Sequence, residues 1–265
     1  MYDPEDIDLP ENYLPEHPFD AGVHQIRDER LLKRPLTESV IRGQLAKYYA
    51  LVTHTDAQIG RILEALDASG QAENTIVVFS SDNGLALGSH GLTGKQNVYE
   101  HSVRVPLVIS GPGIPEGQTR AQLCYLYDVY PTLCELAGVE IPETVEFSSL
   151  KQLFDEPDRP HRDHLYFSFM SWQRAVRGER YKLIEYAVDG ARHTQLFDLK
   201  NDPEEVRDLF REDSNEPEIQ RLRRRLEAER DRLNDGESES PHLREMSEAF
   251  WRSYGDGASG SKPGA

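Results

Sequence analysis

The sequence predicts an α/β fold: a mainly parallel sheet flanked by helices, followed by a small antiparallel sheet with a helix of its own. Three observations carry this. Ile41, Leu45, Tyr48, Val52, Ile59, Ile62 and Leu66 recur at three-, four- and seven-residue steps, one face of a long helix that Gly70 stops. The run Thr75–Phe79 is β-branched and aromatic, so it reads as a buried strand, and Val105–Ile109 reads as a second. A helix leading into a fully apolar strand is the pattern of a parallel sheet, in which ligands gather beyond the carboxyl ends of the strands. Beyond residue 150 the texture changes to short strand-like runs, HLYFSF, QRAVRGE, YKLIEYAV and TQLFDL, spaced by turns.

The remaining elements follow from the same rules. Residues 126–138 read as a short helix ending at Gly138, and Glu216–Leu233 as a longer one with Ile219, Leu222, Leu226 and Leu233 on one face. Prolines 4, 10, 15, 18 and 35 keep residues 1–36 mostly in loops, which read as entered from something upstream. The expected organisation is an α/β part over 1–150, a small subdomain over 151–240 and a mostly disordered tail over 241–265, ending in GDGASGSKPGA.

Composition narrows the function. The net charge of −17, with much of the acid in Asp3–Asp8, Asp202–Asp213 and Glu216–Glu239, argues against nucleic acid or an anionic membrane as partner. The two cysteines, Cys124 and Cys134, sit among apolar residues and read as buried free thiols. No run approaches the roughly 18 apolar residues of a membrane span, and the acidic N-terminus is unlike a signal peptide, so a cytoplasmic location is the default expectation.

The chemistry is concentrated in residues 80–113. Asp82 and Asn83 follow the first strand, and adjacent carboxylate and amide oxygens suit a hard divalent cation; the same residues before Gly84 also suit a plain turn. Lys95 follows Gly94 in a loop that also holds Gly88 and Gly91, where its ammonium can pair with an oxyanion or with water. His90 and His101 are either acid/base groups or packing elements. Asp198, Asp202 and Glu204 can ligate a metal, but Pro203 favours an acidic surface turn.

The segments YYALVTHTDAQIGRIL, NTIVVFSSDNG, LGSHGLTGKQNVYEHSVRVPLVISGPG, YDVYPTLCELAGVEIP and LFDLKNDPEEVRDL, taken in order, resemble the sulfatase family of the alkaline phosphatase superfamily over residues 10–235, with bacterial choline-sulfatase and arylsulfatase types the nearest likeness. Phe197 and Asp208 depart mildly from the family's closing motif. The resemblance implies a sulfuric ester hydrolase that acts on a small sulfated substrate. It implies Ca²⁺ (or Mg²⁺) held partly by Asp82 and Asn83, with Lys95 on the sulfate oxygens. It also implies a formylglycine nucleophile made from the Cys or Ser of a Cys/Ser-x-Pro-x-Arg motif, and neither Cys124 nor Cys134 has a proline two positions later. The family's Pro-His segment has its nearest match at His17, preceded by Glu16 rather than proline. The expectation is therefore a sulfatase portion whose partner is a missing N-terminal half carrying the nucleophile. The alternatives are an inactive oxyanion-binding remnant and a phosphodiesterase or phosphonate hydrolase of the same superfamily.

Overall fold

The computed structural model describes residues 1–237 and 240–255. They divide into two compact units: one holds Met1–Leu9, Glu38–Gly84 and Arg104–Leu165, the other Pro10–Thr37, Leu85–Val103 and Tyr166 onward. The chain thus passes between these units several times along the sequence.

In the first unit, helix α1 runs over Glu38–Ala68, and Gly70 adopts φ +70° just past its end. Its first turns are buried at Ile41 and Leu45, and the Arg42 guanidinium donates to the Ile7 carbonyl. The predicted stripe is not buried beyond that point: Val52 is 49% and Ile62 68% exposed. Strands β1 (Val77–Ser80) and β2 (Leu107–Ser110) pair in register Val77↔Ser110 to Ser80↔Leu107. This pairing is antiparallel, which corrects the parallel arrangement expected here. A parallel neighbour needs a crossover that carries the chain back to its starting end. The segment between these strands has only the short helix α2 (Glu100–Val103) and returns at the carboxyl end of β1. Gly111 follows β2 directly and admits no side chain, since a Cβ there would lie 2.6 Å from the Thr75 carbonyl oxygen. Helix α3 (Val129–Ala137) ends at left-handed Gly138 as predicted, and the short helix α4 covers Gln152–Asp155. Buried Asp128 ties this region together, accepting from the Tyr125 and Ser148 amides and from the Arg162 guanidinium.

The second unit is built on a four-stranded sheet in the order β3 (His164–Phe169), β4 (Gln173–Gly178), β5 (Tyr181–Val188) and β6 (Ala191–Asp198). The Asp189–Gly190 turn, with φ of 48° and 82°, makes the tight β5–β6 hairpin. Side chains alternate between two faces. Ala175, Ile184, Tyr186 and Phe197 pack with Ala86, Leu92, Val98 and Tyr99, while Val176, Leu183 and Leu196 pack under helix α5 (Glu216–Arg232) through Ile219, Leu222 and Leu226. Leu233, expected on that helix face, falls past the helix end and is exposed. Helix α6 (Pro241–Gly255) packs Phe250 and Tyr254 against Ala187, which corrects the disordered tail expected from residue 241; the tail's last ten residues lie outside those described.

Candidate functional site

Asp82 and Asn83 belong to the first unit and sit just past β1. Asp82 is exposed and takes the Asn83 amide on Oδ1 at 3.0 Å, while the Asn83 side-chain nitrogen donates to the Gly84 carbonyl at 2.9 Å. Those bonds form the local turn that such residues favour. They also orient a carboxylate and an amide oxygen at a strand end, a donor set that fits a hard cation. Such a cation takes about six to eight oxygens, so the pair would supply one corner of a site. Among the described residues, no group of three or more His, Cys, Asp or Glu is arranged to hold a metal ion.

Lys95 belongs to the second unit and is exposed at the end of a tightly wound loop. Within that loop the Gly88 amide donates to the Leu92 carbonyl at 2.8 Å and the Ala86 amide to the Gly94 carbonyl at 2.9 Å. Gly91 is required by a crossing chain: at φ +70°, a Cβ there would lie 2.2 Å from the Glu16 carbonyl carbon and 2.3 Å from the His17 nitrogen. The glycines of this motif therefore serve chain packing as well as access to a ligand.

His17 is buried beneath this loop, and both of its ring nitrogens are engaged. Nδ1 donates to the Phe19 carbonyl at 2.7 Å, and Nε2 faces the Tyr99 hydroxyl at 3.0 Å. Burial lowers its pKa to about 4, so it is neutral at neutral pH. A catalytic acid needs a proton and an open path to substrate; this placement makes His17 a packing and hydrogen-bonding group. His90 stacks on Tyr99 with ring centroids 3.8 Å apart and contacts the Glu205 carbonyl at 2.9 Å, and burial takes it to about 4 as well. His101 is partly buried, and desolvation lowers its pKa well below the usual histidine value.

The acidic candidates around Pro203 divide. Asp198 is bonded by Arg180 and Asn201, and Asp202 accepts the Val206 and Arg207 amides, so both organise a turn. The residue that sequence inspection missed is Glu205, fully buried beside Lys182. The Lys182 ammonium lies 2.9 Å from Glu205 and 3.0 Å from Glu100, and the Glu100 amide donates to Glu205 at 2.7 Å. Burial, with the Glu100 carboxylate adding to it against the pull of Lys182, raises Glu205 to about 7. The closing Asp-Pro-x-Glu element thus locks β5 to the Lys95-bearing segment. The available signal was a lysine inside the apolar run YKLIEYAV, since buried charges require partners.

Comparison with known proteins matches this architecture to one family. The sulfatase family profile matches residues 8–139, and that of the C-terminal part of N-sulphoglucosamine sulphohydrolase matches residues 88–232. An arylsulfatase of Clostridium perfringens is 31% identical over 224 residues, 82% of this chain and 46% of its own length. A solved structure in complex with its substrate D-glucosamine-2-N,6-O-disulfate superposes with a TM-score of 0.70 at 27% identity, over 83% of this chain and 47% of that one. A phosphonate monoester hydrolase from Silicibacter pomeroyi superposes with a TM-score of 0.73 at 25% identity, over 88% and 52%. The chain spans about half the length or less of the curated relatives it matches. The family is generally metal-dependent. On the matched residues and their order, this chain belongs to the sulfatase family.

Proposed function

We propose that this chain provides the cation- and sulfate-binding part of a sulfuric ester hydrolase. Asp82 and Asn83 would hold Ca²⁺ or Mg²⁺, and Lys95 would pair with the sulfate oxygens. A bound cation would supply Lewis-acid stabilisation of charge on the sulfuryl group. The Lys95 ammonium, in the second unit, would favour negative charge on a bound oxyanion. The single observation that carries this reading is the exposure of Asp82 and Lys95 at the ends of rigidly bonded turns, inside the segments matched to sulfatases.

The nucleophile, a formylglycine, would come from the half of the relatives' length that this chain does not span. Exposed apolar side chains on α1 (Leu51, Val52, Ile62, Leu63) and on the strand pair (Phe79, Val108) support a covering partner on the first unit. His17 is left out of the catalytic set because its ring nitrogens are occupied. A second reading, hydrolysis of phosphonate monoesters, is favoured by the likeness to the Silicibacter pomeroyi enzyme. Membership of the substrate class is tested with this chain joined to a nucleophile-bearing N-terminal half. Preferential turnover of sulfate monoesters supports the proposal, whereas preferential turnover of phosphonate monoesters or phosphate diesters replaces it.

A further inference from the structure

The segment that carries Lys95 is held by two adjacent acidic residues far away in sequence. Asp28 and Glu29 lie in the single helical turn Asp28–Arg30, inside the otherwise irregular stretch before α1. Glu29 is almost completely buried, with its side chain 1% exposed. Its Oε1 accepts the Gly94 amide at 2.7 Å, and its Oε2 accepts the Thr93 amide at 2.9 Å. The Arg34 guanidinium completes the set at 2.6 Å from Oε2 and also reaches the Gly91 carbonyl. Asp28 takes the other side of the lysine. Its carbonyl accepts the Thr93 hydroxyl at 2.8 Å, and its Oδ2 accepts the Gln96 amide nitrogen at 2.7 Å. The Gln96 amide oxygen in turn accepts the Lys95 backbone amide at 3.1 Å. Gly94 is the residue that permits this closeness: a Cβ there would stand 3.0 Å from Asp28 Cβ and from Glu29 Oε1.

We infer that Asp28 and Glu29 form a positioning device for Lys95, fixing the backbone on both sides of it so that its ammonium is presented to an oxyanion. A buried carboxylate is costly unless its acceptor sites are filled. Here the carboxylate is spent on the two amides immediately before the lysine. The same carboxylate occupies those amides, so they do not compete as anion donors. Pre-ordering the backbone that carries the lysine lowers the entropy lost on binding. The inference rests on the reading of Lys95 as the sulfate-contacting residue.

The test is a titration of the 265-residue protein with inorganic sulfate, followed by the backbone amide resonances of Gly94 and Lys95. It compares wild type, Lys95→Ala, Glu29→Gln, Asp28→Ala and the double variant Lys95→Ala/Glu29→Gln. Glu29→Gln and Asp28→Ala are each expected to raise the sulfate dissociation constant about fivefold, the order of effect of one added ordering cost on binding. In the Lys95→Ala background, Glu29→Gln is expected to add nothing, which a general loosening of the loop would not produce. Equal weakening with and without Lys95, or unchanged affinity in Glu29→Gln, overturns the positioning role. An unchanged affinity in Lys95→Ala instead overturns the reading of Lys95 itself. Should Glu29→Gln fail to fold, Asp28→Ala decides by the same comparison, made against its own Lys95→Ala double variant.

Discussion

Replacing Lys182 by methionine tests the claim that a buried charge cluster holds the second unit together. The ammonium is inaccessible to solvent and sits within 3.0 Å of two carboxylates, Glu100 and Glu205, whose side chains are only 11% and 1% exposed. Methionine fills much of the same volume, so the change removes charge more than packing. It leaves two buried carboxylates without the ammonium they share, with Arg177 3.8 Å from Glu100. Breaking a buried pair in this way costs about 3–5 kcal/mol. Glu205 already sits at about 7, above its usual carboxylate value, so the fold favours its protonated form. Loss of Lys182 pushes that preference further up. The variant therefore regains stability as pH falls through the raised folded-state value toward the ordinary one near 4.5. Each pH unit changes the cost of neutralising one carboxylate by about 1.4 kcal/mol, but wild type shares most of that gain because its own Glu205 sits at about 7, so the deficit is expected to narrow by about 1 kcal/mol or less between pH 7.5 and 5. Urea unfolding followed by circular dichroism at the two pH values measures both. A deficit below about 1 kcal/mol at pH 7.5, or a deficit larger at pH 5 than at pH 7.5, refutes the reasoning.

Two further predictions follow from the loop above this cluster. His90 is held neutral with a pKa of about 4 against 6.5 for the unfolded chain, so its contribution is complete above about 6.5 and is lost as pH falls toward 4. His90→Phe keeps the stacking on Tyr99, and between pH 7.5 and 5 it is expected to lose about 2 kcal/mol less stability than wild type; parallel pH curves contradict this. Gly91→Ala places a Cβ against the Glu16 and His17 backbone at a positive φ, and a melting point lowered by about 5 °C or more is expected, with no change arguing against the crossing.

The parts of the fold legible in sequence are those fixed by short-range pattern. Ile219, Leu222 and Leu226 mark the buried face of α5, and Gly138 stops α3 because it alone tolerates the left-handed cap at little cost. What escaped depends on partners distant in the chain. The direction of β2 against β1 is set by the path of the intervening segment, which carries no periodic signal. The α1 stripe is plain in sequence, yet period alone cannot say whether anything covers Tyr48, Val52 or Ile62. Helix α6 was hidden by polar neighbours, although Phe250 and Tyr254, one turn apart, were its signal. Among the candidate residues, Asp82, Asn83 and Lys95 stand out because they sit in dense local motifs. Glu29 and Glu205 do not, since a lone acid in a loop reads as solvated until the amides or ammonium it meets are seen.

The measurement that bears most directly on the central claim is turnover of an aryl sulfate by this chain joined to a nucleophile-bearing N-terminal half, with and without Lys95→Ala. If Lys95 stabilises the sulfuryl group, its loss lowers kcat by about 10²–10³, the usual consequence of removing one preorganised charge-stabilising group, while the circular dichroism spectrum is unchanged. Full turnover by the Lys95→Ala enzyme contradicts the account.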